Sequence, residues 1–207
     1  MQKNIAYLFS YVFHPLIIPT WIFLVLFNTN TYLYYMQAVH KQAIISLTFI
    51  TTCLLPITAL PLFLNLRLIK SLKIENTQER FVPILFTLCS YLFGFYLLNQ
   101  LPFPMPGIFK YFILSAGLAI LGAMLISLFW KISLYMIAIG GAFAAFLALS
   151  FRLSDDFFSL ISLIAIFAGI IGFSRLRLNA HTPAQVFFGF LWGLASVLLF
   201  LMMFGQV

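Results

Sequence analysis

Seven apolar runs account for most of this sequence, at about residues 5–27, 43–65, 81–99, 107–129, 132–151, 157–173 and 184–204. At about 1.5 Å of helical rise per residue, each covers most or all of a hydrocarbon layer roughly 30 Å thick. That layer offers the backbone no water, so only helices or closed barrels cross it. Nothing in the runs alternates with the period of two that a membrane strand needs. We therefore expect an all-α fold, a polytopic transmembrane bundle of about seven helices. Composition points the same way. Hydrophobic residues make up 64% of the chain and charged residues 7%, where soluble domains have roughly 45–50% and 25%.

The breaks between runs carry turn chemistry. Asn28-Thr29-Asn30 follows the first run, Pro102-Phe103-Pro104-Met105-Pro106-Gly107 separates the third from the fourth, and Leu153-Ser154-Asp155-Asp156 separates the fifth from the sixth. No Gly/Ser-rich linker or low-complexity tract divides the chain, so residues 1–207 are expected to form a single integral membrane domain. Pro15, Pro19, Pro56 and Pro61 fall inside runs and predict kinks in the first two helices. The N-terminal MQKNIAYLF lacks a small-residue cleavage site and reads as a retained first span. Cys53 and Cys89 lie isolated in apolar runs, and no cluster at ligand spacing points to a metal.

The net charge of +7 sits at the ends of apolar runs, not along a basic face. That pattern argues against nucleic acid and for membrane lipids or an anionic substrate as partners. Counting crossings puts the segments Leu66–Arg80, Trp130–Ser133 and Ser174–Thr182 on one face, together with Lys3. Eight of the 11 Lys and Arg residues are there (Lys3, Arg67, Lys70, Lys73, Arg80, Lys131, Arg175 and Arg177), against Lys41, Lys110 and Arg152 on the other. Taken alone, this marks the cytoplasmic face. Cations that hold a ligand are not topogenic, however. Setting aside Lys73, Arg80, Lys131 and Arg175 leaves four against three, and orientation stays open.

One of these segments, within Gly172–Gly189 (GFSRLRLNAHTPAQVFFG), collects Arg175, Arg177 and His181 at the membrane edge, where ionisable groups are expensive. Thr182-Pro183-Ala184-Gln185 fits a helix start. Gln185 thus either closes a capping box onto Thr182 or serves the neighbouring histidine. Arg80 follows Lys73 by seven positions and belongs to the first turn of the third helix, with Thr77 as its cap. The same segment also reads as an interfacial loop, with Arg67, Lys70 and Lys73 on lipid headgroups and Glu75 and Glu79 balancing them. Ser133 opens the fifth helix, where free N–H groups favour an anion, although capping is the ordinary role of such a serine. His14, before Pro15, reads as a packing residue and His40 as a loop residue. His181 differs by its company, because Lys73, Arg80, Ser133 and Arg175 reach the same face. Together they describe an oxyanion cradle with a nucleophile or base beside it.

Lys73, six residues, Arg80; Ser133 about fifty residues on; then Ser174-Arg175, five residues, His181: this arrangement resembles the three-part signature of the type-2 phosphatidic acid phosphatase and haloperoxidase superfamily. Each of the three parts departs from it. The family's Arg-Pro is Arg80-Phe81, its Pro-Ser-Gly-His is Ile132-Ser133-Leu134-Tyr135, and its closing Asp is Gln185. The resemblance implies a phosphatase-like core over about residues 66–204, with Lys73, Arg80, Ser133 and Arg175 binding phosphoryl oxygens. It implies that His181 attacks phosphorus to form a phosphohistidine, and no cofactor is expected. Gln185 would stand for the carboxylate that orients the imidazole, and Tyr135 for the histidine that protonates the leaving oxygen. A Gln carbonyl can accept from one ring nitrogen but brings no charge. A Tyr, with an ordinary pKa near 10 against about 6.5 for His, is a poor acid at neutral pH.

The expected function is therefore that of a membrane phosphatase in the cell membrane, acting on a phosphorylated lipid substrate. That substrate is a lipid phosphate or a polyprenyl diphosphate such as undecaprenyl diphosphate. The diphosphate is favoured, because its leaving oxygen is already weakly basic. The alternative is a catalytically impaired relative that binds a phosphorylated lipid or serves as a membrane-complex subunit. A transporter is disfavoured because, His14 apart, the ionisable groups sit at helix ends.

Overall fold

The apolar runs fold into helices throughout the computed structural model, which describes residues 2–29, 31–71, 78–153 and 157–205. Eight helices follow one another among the described residues: α1 (Gln2–Val12), α2 (Ile18–Leu26), α3 (Ala38–Asn65), α4 (Phe81–Asn99), α5 (Gly107–Ser127), α6 (Leu134–Leu153), α7 (Phe158–Arg177) and α8 (Pro183–Phe204). Six of them, α3 to α8, are each long and apolar enough to cross a membrane. The protein is thus an all-helical, multi-pass membrane bundle.

The first apolar run is broken in two, where a single kinked helix was expected. Pro15 has no N–H and disfavours helical dihedrals at the residue before it, so α1 stops at Val12 and the chain becomes helical again at Ile18. In lipid the freed carbonyls need partners. Trp21 Nε1 donates to the Val12 carbonyl (3.3 Å) and Thr52 Oγ1 to the Leu16 carbonyl (3.1 Å). The two halves end on opposite faces. Ser10 of α1 meets Arg175 at the end of α7. Phe27, just after α2, packs on Phe109 at the start of α5, and its carbonyl accepts from Lys41 Nζ. Neither α1 nor α2 is by itself long enough to cross a membrane, so the candidate spans among the described residues are the six helices α3 to α8.

Prolines shape α3 as well. Pro56 cannot donate to the Thr52 carbonyl, and the helix widens to a π turn over Ile50–Leu54 just before it. Pro61 sits within the α-helical part that follows.

Helix α6 runs through the centre of the bundle, with Gly140, Ala144, Ala145 and Ala148 buried along it. Its backbone lies directly on that of α8. A Cβ on Gly193 would strike the Ile137 carbonyl, and one on Gly140 would strike the Phe190 carbonyl. Gly189 and Gly193, four apart, form the small-residue face that such close packing requires. At the membrane edge a Cβ on Gly189 would lie 2.9 Å from the Ser133 carbonyl. This close approach sets the start of α8 against the start of α6, and the segments that carry Ser133 and His181 come together there.

Candidate active site

The turn from α7 to α8 is encoded locally. The Ala180 N–H donates to the Arg175 carbonyl (3.1 Å) and the Asn179 N–H to the Leu176 carbonyl (3.0 Å). Asn179 takes the left-handed conformation that this closure needs (φ 50°), which Asn tolerates better than most residues. The reversal returns His181 to the neighbourhood of Arg175. Thr182 then caps α8. Its hydroxyl accepts from the Gln185 N–H (3.4 Å), and Gln185 Oε1 accepts from the Thr182 N–H (3.1 Å). Pro183 occupies the first turn, where its missing N–H goes unnoticed.

Gln185 Oε1 has a second neighbour, His181 Nδ1 at 3.2 Å, and the Lys131 carbonyl lies 3.2 Å from the same nitrogen. Two acceptors around Nδ1 require it to carry the proton, which leaves Nε2 with an open lone pair. The Thr182 N–H identifies the Gln185 atom facing it as oxygen, so reversing the amide would break the capping box. The two readings of Gln185, cap and imidazole partner, are one arrangement. Burial first, then the charges of Arg175 and Arg80, push the His181 pKa down to about 4, against the opposing hydrogen bonds to Gln185 and Lys131. His181 is therefore a neutral imidazole at ordinary pH.

Around this imidazole stand buried donors. Ser133 is fully buried (0% exposed), and its Oγ has no hydrogen-bond partner among the described residues. Its backbone is engaged, with the N–H on the Gln185 carbonyl (3.4 Å) and the carbonyl on the Ile137 N–H (3.0 Å). Ser133 is thus no side-chain cap. Arg175 donates from Nη1 to Ser10 Oγ (3.3 Å), lays its guanidinium over the Tyr135 ring (4.2 Å) and keeps a buried Nε without a partner among the described residues. Arg80 lies in the short turn Gln78–Arg80 ahead of α4, where burial and the nearby Arg175 lower its pKa. Glu79 turns its carboxylate to the Lys70 N–H (2.9 Å). Lys73, Glu75 and Thr77 lie outside the described residues.

The sequence reading did not bring α1 into this region. Tyr7, Ser10, Tyr11 and His14 recur at the spacing of one helical face, and that polar stripe in an apolar run was the available signal. Ser10 reaches Arg175, and the His14 ring stands edge-on to Tyr135 (5.6 Å). Tyr135 is therefore held between Arg175 and His14. The His14 Nδ1 accepts weakly from the Leu16 N–H (3.4 Å), in keeping with a packing residue. His40 stacks on Phe103 at the opposite face (3.9 Å) and takes no part.

No curated protein and no solved structure gives a significant match to the chain. Residues 136–207 match the model of the PAP2 superfamily. The matched span takes in Arg175, His181 and Gln185, whereas Arg80, Ser133 and Tyr135 lie before it. Over that last third of its length the chain is similar to the PAP2 superfamily.

Proposed function

We propose that the protein is a membrane phosphatase that removes a phosphoryl group from a phosphorylated lipid through an intermediate on His181. One observation carries the reading: Ser133 Oγ and Arg175 Nε are buried donors without partners among the described residues, beside a neutral imidazole whose Nδ1–H is already committed. Buried donors left unsatisfied are costly, and a phosphoryl group supplies the acceptors they lack.

In the first step the Nε2 lone pair attacks phosphorus. The N–P bond forms, the P–O bond to the leaving group breaks, and its electron pair departs on that oxygen. The imidazole becomes positive, and Gln185 Oε1 and the Lys131 carbonyl stabilise its Nδ1–H by their dipoles. Water then attacks the phosphohistidine and releases phosphate. Lys73, Arg80, Arg175 and Ser133 spread the charge of the phosphoryl oxygens, which is most of what phosphoryl transfer asks of a protein. Tyr135 supports the Arg175 guanidinium with its ring, and this is a positioning role. With no strong acid at Tyr135 and no carboxylate at Gln185, the substrate best suited to the site is a diphosphate, whose leaving oxygen needs little protonation. The cell membrane is its place of action.

The same two departures favour a second reading, a relative that holds a phosphorylated lipid without turning it over, alone or as a membrane-complex subunit. Purified protein presented with a panel of lipid phosphates and diphosphates separates the two. Under the first reading phosphate is released, and His181→Ala lowers release to background while a labelled lipid phosphate still binds. Binding by wild type without any release would establish the second.

A further inference from the structure

Helix α1 lies outside the matched span, yet it carries a polar stripe into the site. Ser10 accepts from Arg175, while Tyr7 and Tyr11 lie close enough to act electrostatically on Arg175 and Tyr135. His14 ends the stripe at the break before Pro15. It sits on the membrane-interior side of Ser10, because the chain runs on from there through α2 to the opposite face. An imidazole inside an apolar run is expensive, and such groups ordinarily have a task. The contacts of His14 leave one atom for that task. Nδ1 accepts from the Leu16 N–H (3.4 Å), so the ring proton is on Nε2. Nε2 has no hydrogen-bond partner among the described residues, and the half-buried ring keeps it within reach of a ligand. The ring stands edge-on to Tyr135 (5.6 Å) and within the field of Arg175. Packing accounts for Nδ1 and for the ring, but not for the Nε2–H.

We propose that His14 is a substrate-binding residue, whose Nε2–H donates to the phosphate nearest the lipid when the site holds a lipid diphosphate. The inference rests on the proposed phosphatase site and adds to it a residue from a helix outside the matched span. In that site the terminal phosphoryl group lies among Arg80, Ser133 and Arg175, in front of His181 Nε2. The second phosphate then belongs to the leaving group and lies toward the lipid, deeper in the membrane than Arg175. His14 is the donor on that side, next to Tyr135, the position that the resemblance gives to the leaving oxygen. As the P–O bond breaks, its electron pair collects on the second phosphate. A neutral imidazole N–H stabilises that charge by a hydrogen bond and keeps its own proton. A leaving oxygen as weakly basic as this one needs no more. A lipid monophosphate presents no second phosphate to hold, so His14 sets a preference for diphosphates.

The test titrates farnesyl methylenediphosphonate and farnesyl phosphonate, which share a tail and resist hydrolysis, into the full-length protein in detergent. Wild type should hold the diphosphonate more tightly. His14→Phe keeps a ring against Tyr135 and loses both nitrogens. His14→Asn keeps an acceptor for the Leu16 N–H but falls short of the Nε2 position. His14→Gln restores an N–H at about that reach. The Phe and Asn variants should each lose about tenfold to a hundredfold of the diphosphonate preference, the ordinary worth of one hydrogen bond to a charged acceptor. His14→Gln should recover most of it. A packing role would instead weaken both ligands alike and would not separate Gln from the other two. That pattern, a preference unchanged in His14→Phe and His14→Asn, or a wild type without the preference would overturn the inference. Phosphate release from farnesyl diphosphate is followed in parallel. A His14-dependent preference without release would sustain the role of His14 and refute the phosphatase reading. Release with a preference that ignores all three substitutions would do the reverse.

Discussion

Acidification is the most direct perturbation of this site, because the His181 environment makes a definite claim about protonation. Burial, with Arg175 and Arg80 behind it, moves the imidazole from 6.5 to about 4. At about pH 5.5 an ordinary imidazole is about one-tenth neutral, whereas His181 should be almost wholly neutral, a roughly tenfold difference in reactive form. Carbethoxylation by diethylpyrocarbonate, which attacks the neutral ring, reads that fraction without needing turnover. The rate at His181, followed by mass spectrometry from neutral pH downward, should keep its plateau well below pH 6 and fall with a midpoint about 4. The denatured protein should give a midpoint about 6.5. Arg175→Gln removes one of the two cations and leaves the burial, so the midpoint should rise only part of the way. The same shift bears on stability. The unfolded chain binds the proton first, so stability present above about pH 6.5 is lost as pH falls through the folded value of about 4. The full shift corresponds to about 3 kcal/mol, which solvent screening of this part-exposed group trims to about 1–2 kcal/mol. A folded-state midpoint at or above about 6.5 would refute the account, since it would mean that neither burial nor the two arginines act on this ring.

Three further outcomes are expected. Gly193→Ala should lower the thermal midpoint strongly, by the roughly 1–3 kcal/mol of an overpacked contact or more, because its Cβ meets the Ile137 carbonyl; Gly169→Ala, with nothing within 4 Å, should be neutral or stabilising. Tyr135→His should raise kcat/KM on lipid monoesters much more than on diphosphates, since it returns a proton donor that only the poorer leaving group needs; equal gains would remove the leaving-group argument. Single cysteines at Asn76 and Asn179, in a background lacking Cys53 and Cys89, should react with an impermeant thiol reagent from the same side of the membrane, and labelling from opposite sides would dissolve the common site.

Much of this molecule was legible in short windows of sequence. The apolar runs specified an all-helical membrane bundle, because run length and the need to satisfy the backbone in lipid leave little else, although the first run became two short helices and six helices have spanning length among the described residues. Thr182-Pro183-Ala184-Gln185 encoded the start of α8, and Arg175, five residues, His181 encoded one edge of the site, because caps and helix ends are made from atoms a few residues apart. Pro15 announced a disturbance in the first run. Whether it would kink or break depended on Trp21 and Thr52, which took the freed carbonyls of Val12 and Leu16.

Tertiary structure decided what those local pieces do together. No window around Ser133 tells whether its hydroxyl caps α6 or is left open in a buried site. The answer came from α8 lying against it through Gly189. The same approach brings the Lys131 carbonyl, 50 residues distant in sequence, to His181 Nδ1, and with Gln185 it selects the ring nitrogen left free. The α1 stripe that places Ser10 on Arg175 and His14 on Tyr135 was visible as a pattern but had no destination until α1 packed against α7. The physical reason is one of range. Capping and proline chemistry act over a single turn, whereas the choice of which helices touch is made by the volumes of side chains far apart in the chain, here the missing Cβ atoms of Gly140, Gly189 and Gly193.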